Sequence, residues 1–359
     1  MSYTNGLDKP TDYFNTITYT GDDVDGRTIT GVGFQSDFSW VKARSSAFSH
    51  YIIDAIRYDS GASKYLKLDS SYNGGDETPS GAGWISALNS DGYVCKNGTS
   101  NTNNCNENGV TYVAWNWLGA NGTASNTDGS ITSTVSANTT SGFSIVSYTG
   151  TGANATVGHG LNSPAKFIIL KRRDATNDWE IGSDALGWDK HLYFTTGAAN
   201  SSSDRWQNTA PTNSVFYIQT AAGNNASSSP FIAYCFAEKK GFSKFGSYTG
   251  NGNSDGTFIY TGFKPAFVIM KRTDTTGNWL LFDNNRSSSG GSNLIQQYLY
   301  PNLNDAEDSD ATRGIDFLSN GFKQRNDFSA INASGGSYIY MAFAEQPLVG
   351  TNNIPATAR

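Results

Sequence analysis

Three cysteines, three histidines and three methionines are all that a chain of 359 residues holds of soft or imidazole side chains. Three cysteines cannot build a disulfide framework or a thiolate metal cage. Cys95 and Cys105 bracket the polar loop 96–104 and can face each other across a hairpin; synthesis in a cytoplasm favours free thiols there. Cys235, inside the apolar run 231–237, reads as a small buried residue. His50, His159 and His191 sit in unrelated contexts, and no Gly-x-Ser-x-Gly elbow accompanies them. Serine–histidine nucleophilic catalysis therefore finds no support. His159, in Val157-Gly-His-Gly160, reads as a turn residue.

Charge is sparse as well. Asp, Glu, Lys and Arg make up 16% of the chain, for a net charge of −6. No stretch interleaves Lys or Arg densely enough to track a phosphate backbone, which sets nucleic acid aside as a partner. No apolar run approaches the roughly 20 residues that a bilayer-crossing helix requires, so membrane insertion is not expected. The opening Met1-Ser-Tyr-Thr-Asn-Gly-Leu-Asp-Lys-Pro10 has no basic end and no apolar segment, so no signal peptide is expected. Work outside a cell would then require release as part of a particle. Long helices are not expected either, because no window joins helical spacing to an N-cap and a run of helix formers.

What the chain does hold is 37% hydrophobic residues, 13% aromatics and 39 glycines. The aromatics exclude disorder, since they alone cover a sizeable core. Glycine with abundant Asn, Ser and Thr suits many short strands joined by tight turns.

The tripeptide Tyr-Thr-Gly stands in matching flanks at Tyr19, Tyr148 and Tyr248. Each copy follows a β-rich stretch that opens with Phe14, Phe143 or Phe242; the third has one extra residue, read as a bulge or a shifted start. Each is followed by a Gly-rich turn, then Gly33-Phe34, Gly160-Leu161 or Gly262-Phe263, and then an apolar run closing on Lys42, Lys171 or Lys271. Pro164 and Pro265 precede the second and third runs, and Trp179 and Trp279 follow their lysines. A strong strand ends each copy, around Trp115, Tyr234 and Tyr340, the last two continuing into Ala-Glu at Glu238 and Glu345. Several features recurring in one order mark an internal repeat.

The expected organisation is all-β: an N-terminal arm (1–11), repeats at 12–118, 142–240 and 241–347, an exposed linker at 119–141 with a short strand at 130–135, and a C-terminal tail (348–359). Lys239-Lys240-Gly241 is the whole junction between the last two repeats, so they should pack closely. Residues 174–178 and 274–278 read as hairpin turns, with the following Trp starting the return strand. Runs such as 167–170 fit central strands covered on both faces. The fold class expected is three tandem antiparallel β-sandwiches, jelly-roll or lectin-like, with extended terminal arms.

Chemistry-bearing candidates are few. Asp22, Asp23 and Asp25, and Asp305, Glu307, Asp308 and Asp310, gather hard oxygen ligands on loops, without the EF-hand spacing. Acidic loops are usually only solvated, so no metal and no cofactor is expected. Trp40, Trp115, Trp179 and Trp279 recur and read as core. Trp84, Trp188 and Trp206 lie in loop-like surroundings and are the candidates for exposed contact with glycan or protein. Lys42, Lys171 and Lys271 read as strand ends reaching solvent. Glu238 and Glu345 recur at equivalent positions, an odd way to place one glycosidase site, so no catalysis is expected.

Tyr-Thr-Gly-x-Gly, the Gly-Phe-x-Pro and Lys-Arg strand, the Phe-Ala-Glu endings and the string Thr127-Asp-Gly-Ser-Ile-Thr-Ser-Thr-Val-Ser-Ala-Asn-Thr-Thr140 together resemble a repeated, uncharacterised domain of tailed-phage virion proteins, common in phages of marine bacteria. The resemblance spans roughly residues 12–347. In the first copy Ser36 replaces the Pro, and Asn116-Trp117 stands where Ala-Glu is expected. The resemblance implies a tail or tail-fibre structural protein on the virion that contacts a host-surface glycan or protein receptor or links other tail proteins, most often as a homo-trimer. A capsid-surface fibre or decoration protein, and a carbohydrate-binding module, are the alternatives.

Overall fold

Tyr-Thr-Gly closes the first strand of three antiparallel sheets that share one strand order. A computed structural model of the chain describes residues 7–58, 65–68, 81–99, 101, 104–201, 204–287 and 293–349. The first sheet is built on β1 (Phe14–Thr20), β2 (Phe38–Ala43), β3 (Tyr51–Asp54) and β4 (Thr111–Trp117). The second uses β5 (Phe143–Thr149), β6 (Ala165–Arg172), β7 (Glu180–Ser183) and β8 (Pro230–Ala237). The third uses β9 (Ser243–Thr249), β10 (Phe263–Arg272), β11 (Leu280–Asp283) and β12 (Ser337–Pro347). The orders are β1-β4-β2-β3, β5-β8-β6-β7 and β9-β12-β10-β11. Among the described residues the helices are short: two α-helical turns, Ala222–Asn225 and Ser329–Asn332, and two 3-10 turns. None is long and apolar enough to cross a membrane.

Register places the three tyrosines alike. Tyr19 pairs with Tyr112, Tyr148 with Phe231 and Tyr248 with Tyr338. The paired rings stack at 5.3, 5.1 and 4.8 Å. The same pairing sets Trp117 opposite Phe14 as Phe236 stands opposite Phe143, so Trp117 matches Phe236 and not the Ala-Glu step. Phe242 lies just before β9, which pairs with β12 without a bulge.

Alternation along a strand sends successive side chains to opposite faces. In β8, Phe231, Ala233 and Cys235 face a core of the second sheet's own, whereas Ile232, Tyr234 and Phe236 face inward. β4 and β12 divide in the same way, with Val113, Trp115 and Trp117, and Ile339, Met341 and Phe343, facing inward. The inner faces of all three sheets meet in one aromatic core. Phe14 stacks on Phe343 at 5.0 Å, Phe38 meets Tyr234 at 4.3 Å, and Trp117 meets Phe236 and Phe267 at 6.2 and 5.8 Å. Such contacts contribute roughly 0.5–1.5 kcal/mol each beyond area burial.

Small sheets flank the outer faces: 27–29 with 84–89 and 92–96, 155–158 with 215–218, and 258–260 with 294–295, 315–318 and 321–324. Sheets buried on both faces explain why runs such as Phe167-Ile-Ile-Leu170 are apolar without alternation.

Two expectations about connecting segments need correction. Within 119–141, Ser133–Asn138 pairs with β5 and extends the second sheet, with Val135 buried, so it is not an exposed linker. Its short strand begins three residues later than expected. Within the N-terminal arm, Leu7 is buried in the shared core and Pro10, also buried, begins the 3-10 turn Pro10–Asp12, so the arm is anchored at these two residues while Asp8, Lys9 and Thr11 are exposed. Residues 1–6, and 350–359 of the tail, lie outside the described residues.

Candidate functional site

The recurring residues serve structure first. The Tyr19 hydroxyl donates to the Cys105 carbonyl at 2.9 Å, Tyr148 to Asn224 at 2.6 Å and Tyr248 to Ile331 at 2.7 Å. The next residue after each of those carbonyls is asparagine. Its side-chain oxygen accepts from the N–H just past each tripeptide: Asp22 to Asn106 at 3.3 Å, Thr151 to Asn225 at 2.7 Å and Asn251 to Asn332 at 3.0 Å. The glycines are forced. A Cβ on Gly21, Gly150 or Gly250 would lie 2.0, 2.3 or 2.3 Å from the carbonyl of Glu107, Ala226 or Ala333. Reading the sequence alone misses these asparagines. Their one signal is that each stands five residues before the last strand of its sheet.

The recurring lysines do not reach solvent. Lys42, Lys171 and Lys271 are buried, and their ammonium groups hold the following hairpin. Lys42 donates to Ala43 and Ser46 carbonyls at 2.7 and 3.2 Å, Lys171 to Asn177, and Lys271 to Arg272 and Gly277 at 2.8 and 2.9 Å. Burial pushes the last two down to about 8. A strand-end lysine is ordinarily free, but here the neighbouring loops fold over it.

The seams between sheets carry buried ion pairs. Asp54 with Arg57, and Asp283 with Arg286, are fully buried pairs at 2.6 and 2.5 Å. Tyr234 of the second sheet donates to Asp54 at 2.7 Å, and Trp115 of the first donates to Asp283 at 3.0 Å. At the remaining seam the same positions hold Ser183, Leu186 and Met341, and no charge. The tryptophans also cross seams: Trp179 donates to the Lys67 carbonyl at 2.8 Å and Trp279 to Tyr193 at 2.9 Å. Trp40 donates to His50 Nδ1 at 2.8 Å, which leaves Nε2 to donate to the Tyr300 carbonyl at 3.1 Å. Burial holds His50 neutral, well below the usual imidazole range.

The acidic loops spend their carboxylates on protein partners. Asp22 accepts from the Val24 N–H and Asn106 and faces Arg27; Asp25 pairs with Lys96 at 2.8 Å. Glu307 takes both Arg44, at 2.9 and 2.8 Å, and Arg286, at 2.8 Å. Asp308 accepts from Tyr298, Asp310 caps Thr312, and Asp23 and Asp305 lie exposed nearby. Among the described residues no three His, Cys, Asp or Glu gather where an ion could sit. Cys95 and Cys105 are buried free thiols, and Cys235 is buried in the second outer core.

Trp188 and Trp206 are not surface contacts. They meet edge-on at 5.7 Å inside the second outer core. Their loops curl inward, because a large ring gains more from burial than the polar neighbours cost. Trp84 is half-buried on the strand Trp84–Asn89. His159 follows directly on the strand Ala155–Gly158, with Nδ1 accepting from the Leu161 N–H and Nε2 facing the Thr212 carbonyl.

One group stands apart. Glu180 opens β7 where the pairing puts Tyr51 in the first sheet and Leu280 in the third. Its side chain is 2% exposed. Oε1 lies 3.0 Å from Arg205 Nε, and Oε2 has no hydrogen-bond partner. Arg205 also pairs with Asp204 at 2.7 Å and donates to the Tyr193 hydroxyl at 3.0 Å. Burial, opposed by Arg205, pushes the Glu180 carboxyl up to about 7. A Cβ on Gly223 would lie 1.9 Å from Oε1, so that glycine makes room for the carboxylate. Glu180 forms part of the wall of a pocket of about 230 Å³, together with Asn177, Asp178, Tyr193, Asp204, Arg205 and Gly223, while its Oε2 is itself buried. Four separated segments build it, and nothing local in the sequence marks Glu180.

A family model described as a domain of unknown function, DUF7483, matches residues 9–347. No curated protein and no solved structure matches the chain.

Proposed function

This chain belongs to the DUF7483 family, and from that premise we propose that it is a non-enzymatic structural protein of a phage tail, working by contact with host surface or neighbouring tail proteins. It is built, in this reading, from three copies of one sandwich module closed around a single core. The observation that carries the reading is that shared aromatic core, to which all three sheets contribute their inner faces. The recurring Tyr, Asn, Lys and Trp residues hold corners, hairpins and seams, which is what a load-bearing particle component requires of them. The ring of sheets closes within one chain, so a homo-trimer of such chains would pair through outer sandwich surfaces. Phe258 and Tyr260, exposed two residues apart on an edge strand of the third outer sheet, offer an aromatic contact face there.

Immunogold electron microscopy of purified virions with an antibody to the chain tests the reading. Label on the tail is expected. Label confined to the capsid, or particles without the chain, would overturn the assignment to the tail.

A further inference from the structure

We propose that the Glu180 pocket of the second sandwich is a binding site for one sugar ring, with the Glu180 carboxylate in its wall accepting a hydroxyl. The inference rests on the attachment reading and names its ligand class.

The argument begins with what the other two sandwiches put in the same place. Tyr51 and Leu280 fill the position with apolar bulk, so the fold itself does not require a carboxylate there. A buried carboxylate with an unpartnered oxygen costs stability, and a retained cost of this kind is what binding sites show. The second position of the four-residue helix beneath it is Gly223, where the third sandwich has Ala330. That substitution alone creates space for the acid, since any side chain at 223 would collide with Oε1.

Charge selects the ligand. Arg205, 3.0 Å from Oε1, disfavours a second cation beside Glu180. Asp178 and Asp204 at the rim disfavour an anion. A neutral donor remains. Sugar hydroxyls donate to Glu180 and Asp178 and accept from the Tyr193 phenol, which His191 braces edge-on at 4.9 Å. The pocket, about 230 Å³, falls below the roughly 300–1,000 Å³ of sites for drug-sized ligands, so it admits one ring and not a chain of them.

The test uses the full chain, with saturation-transfer NMR and calorimetry against free hexoses, deoxyhexoses, heptoses and N-acetylhexosamines. At least one should bind saturably. Glu180→Leu, which copies the third sandwich, should weaken it by about tenfold or more with an unchanged or higher Tm. Glu180→Gln, which keeps the shape and one acceptor, should retain part of the affinity. Absence of binding by every sugar, or equal binding by Glu180→Leu, would overturn the proposal. The two readings fail separately. A host polysaccharide captured equally by wild type and Glu180→Leu removes this pocket and leaves attachment standing. Glu180-dependent sugar binding by a protein missing from the tail supports the pocket and removes the tail assignment.

Discussion

The indole N–H of Trp115 donates to Asp283 across 3.0 Å, and the Tyr234 hydroxyl repeats the contact with Asp54 at 2.7 Å one seam away. In both, an inward side chain from a last strand meets an Asp–Arg pair on the neighbouring sheet. Where that side chain is Met341, the facing positions are Ser183 and Leu186. Donor and acceptor vanish together, as they must when an unpaired buried charge costs more than the pair contributes.

That pattern predicts a seam exchange. Arg57→Leu alone should cost about 3–5 kcal/mol, because it strands Asp54 in the core. Combined with Asp54→Ser and Tyr234→Met, it copies the uncharged seam and should return to within about 1.5 kcal/mol of wild type. Urea denaturation measures both. A triple variant no more stable than Arg57→Leu would refute the equivalence of the seams.

At the corners, Gly150→Ala places a methyl 2.3 Å from the Ala226 carbonyl. Overpacking of this kind should cost roughly 1–3 kcal/mol or more. Gly122→Ala, with open space around it, is the control and should stay within about 0.5 kcal/mol. Equal midpoints for the two variants would show that the corner yields.

Lys271→Met keeps the length of the side chain and removes its ammonium. The carbonyls of Arg272 and Gly277 then lose their donor, for a loss of about 1–3 kcal/mol. Amide exchange should accelerate in 272–278 before it does in β10. Protection unchanged in that hairpin would count against the role.

Glu180 predicts a pH profile. Its carboxyl titrates near 7 when folded, against 4.5 in the unfolded chain. The folded form therefore binds more protons between those values, so the acid's contribution is fully present below about 4.5 and is lost as pH rises through about 7. Glu180→Gln removes this dependence. Its advantage over wild type should grow by about 3 kcal/mol across that interval and then level off. Thermal unfolding at stepped pH reads it, and parallel curves for the two proteins would place the carboxyl in a solvated setting.

The strands were readable because their cues are local. An apolar run bounded by Pro265 and Lys271, and a turn before Trp279, mark β10 and β11 from neighbouring residues alone. Lys271, Trp188 and Trp206 misled for the opposite reason. Each looks exposed by its immediate neighbours in the chain, and each is buried once the surrounding loops fold over it.

The sequence by itself determined that the chain is all-β, where its principal strands run, and that one Tyr-Thr-Gly corner recurs three times. Period-two alternation and tight turns act over a few residues, so they are written where they act. Only the tertiary structure decided that the three sheets share a core, which seams carry charge, and that Glu180, Tyr193, Arg205 and Gly223 line one pocket. Alternation gives a strand two faces, but what lies against each face is decided by distant segments packing upon it.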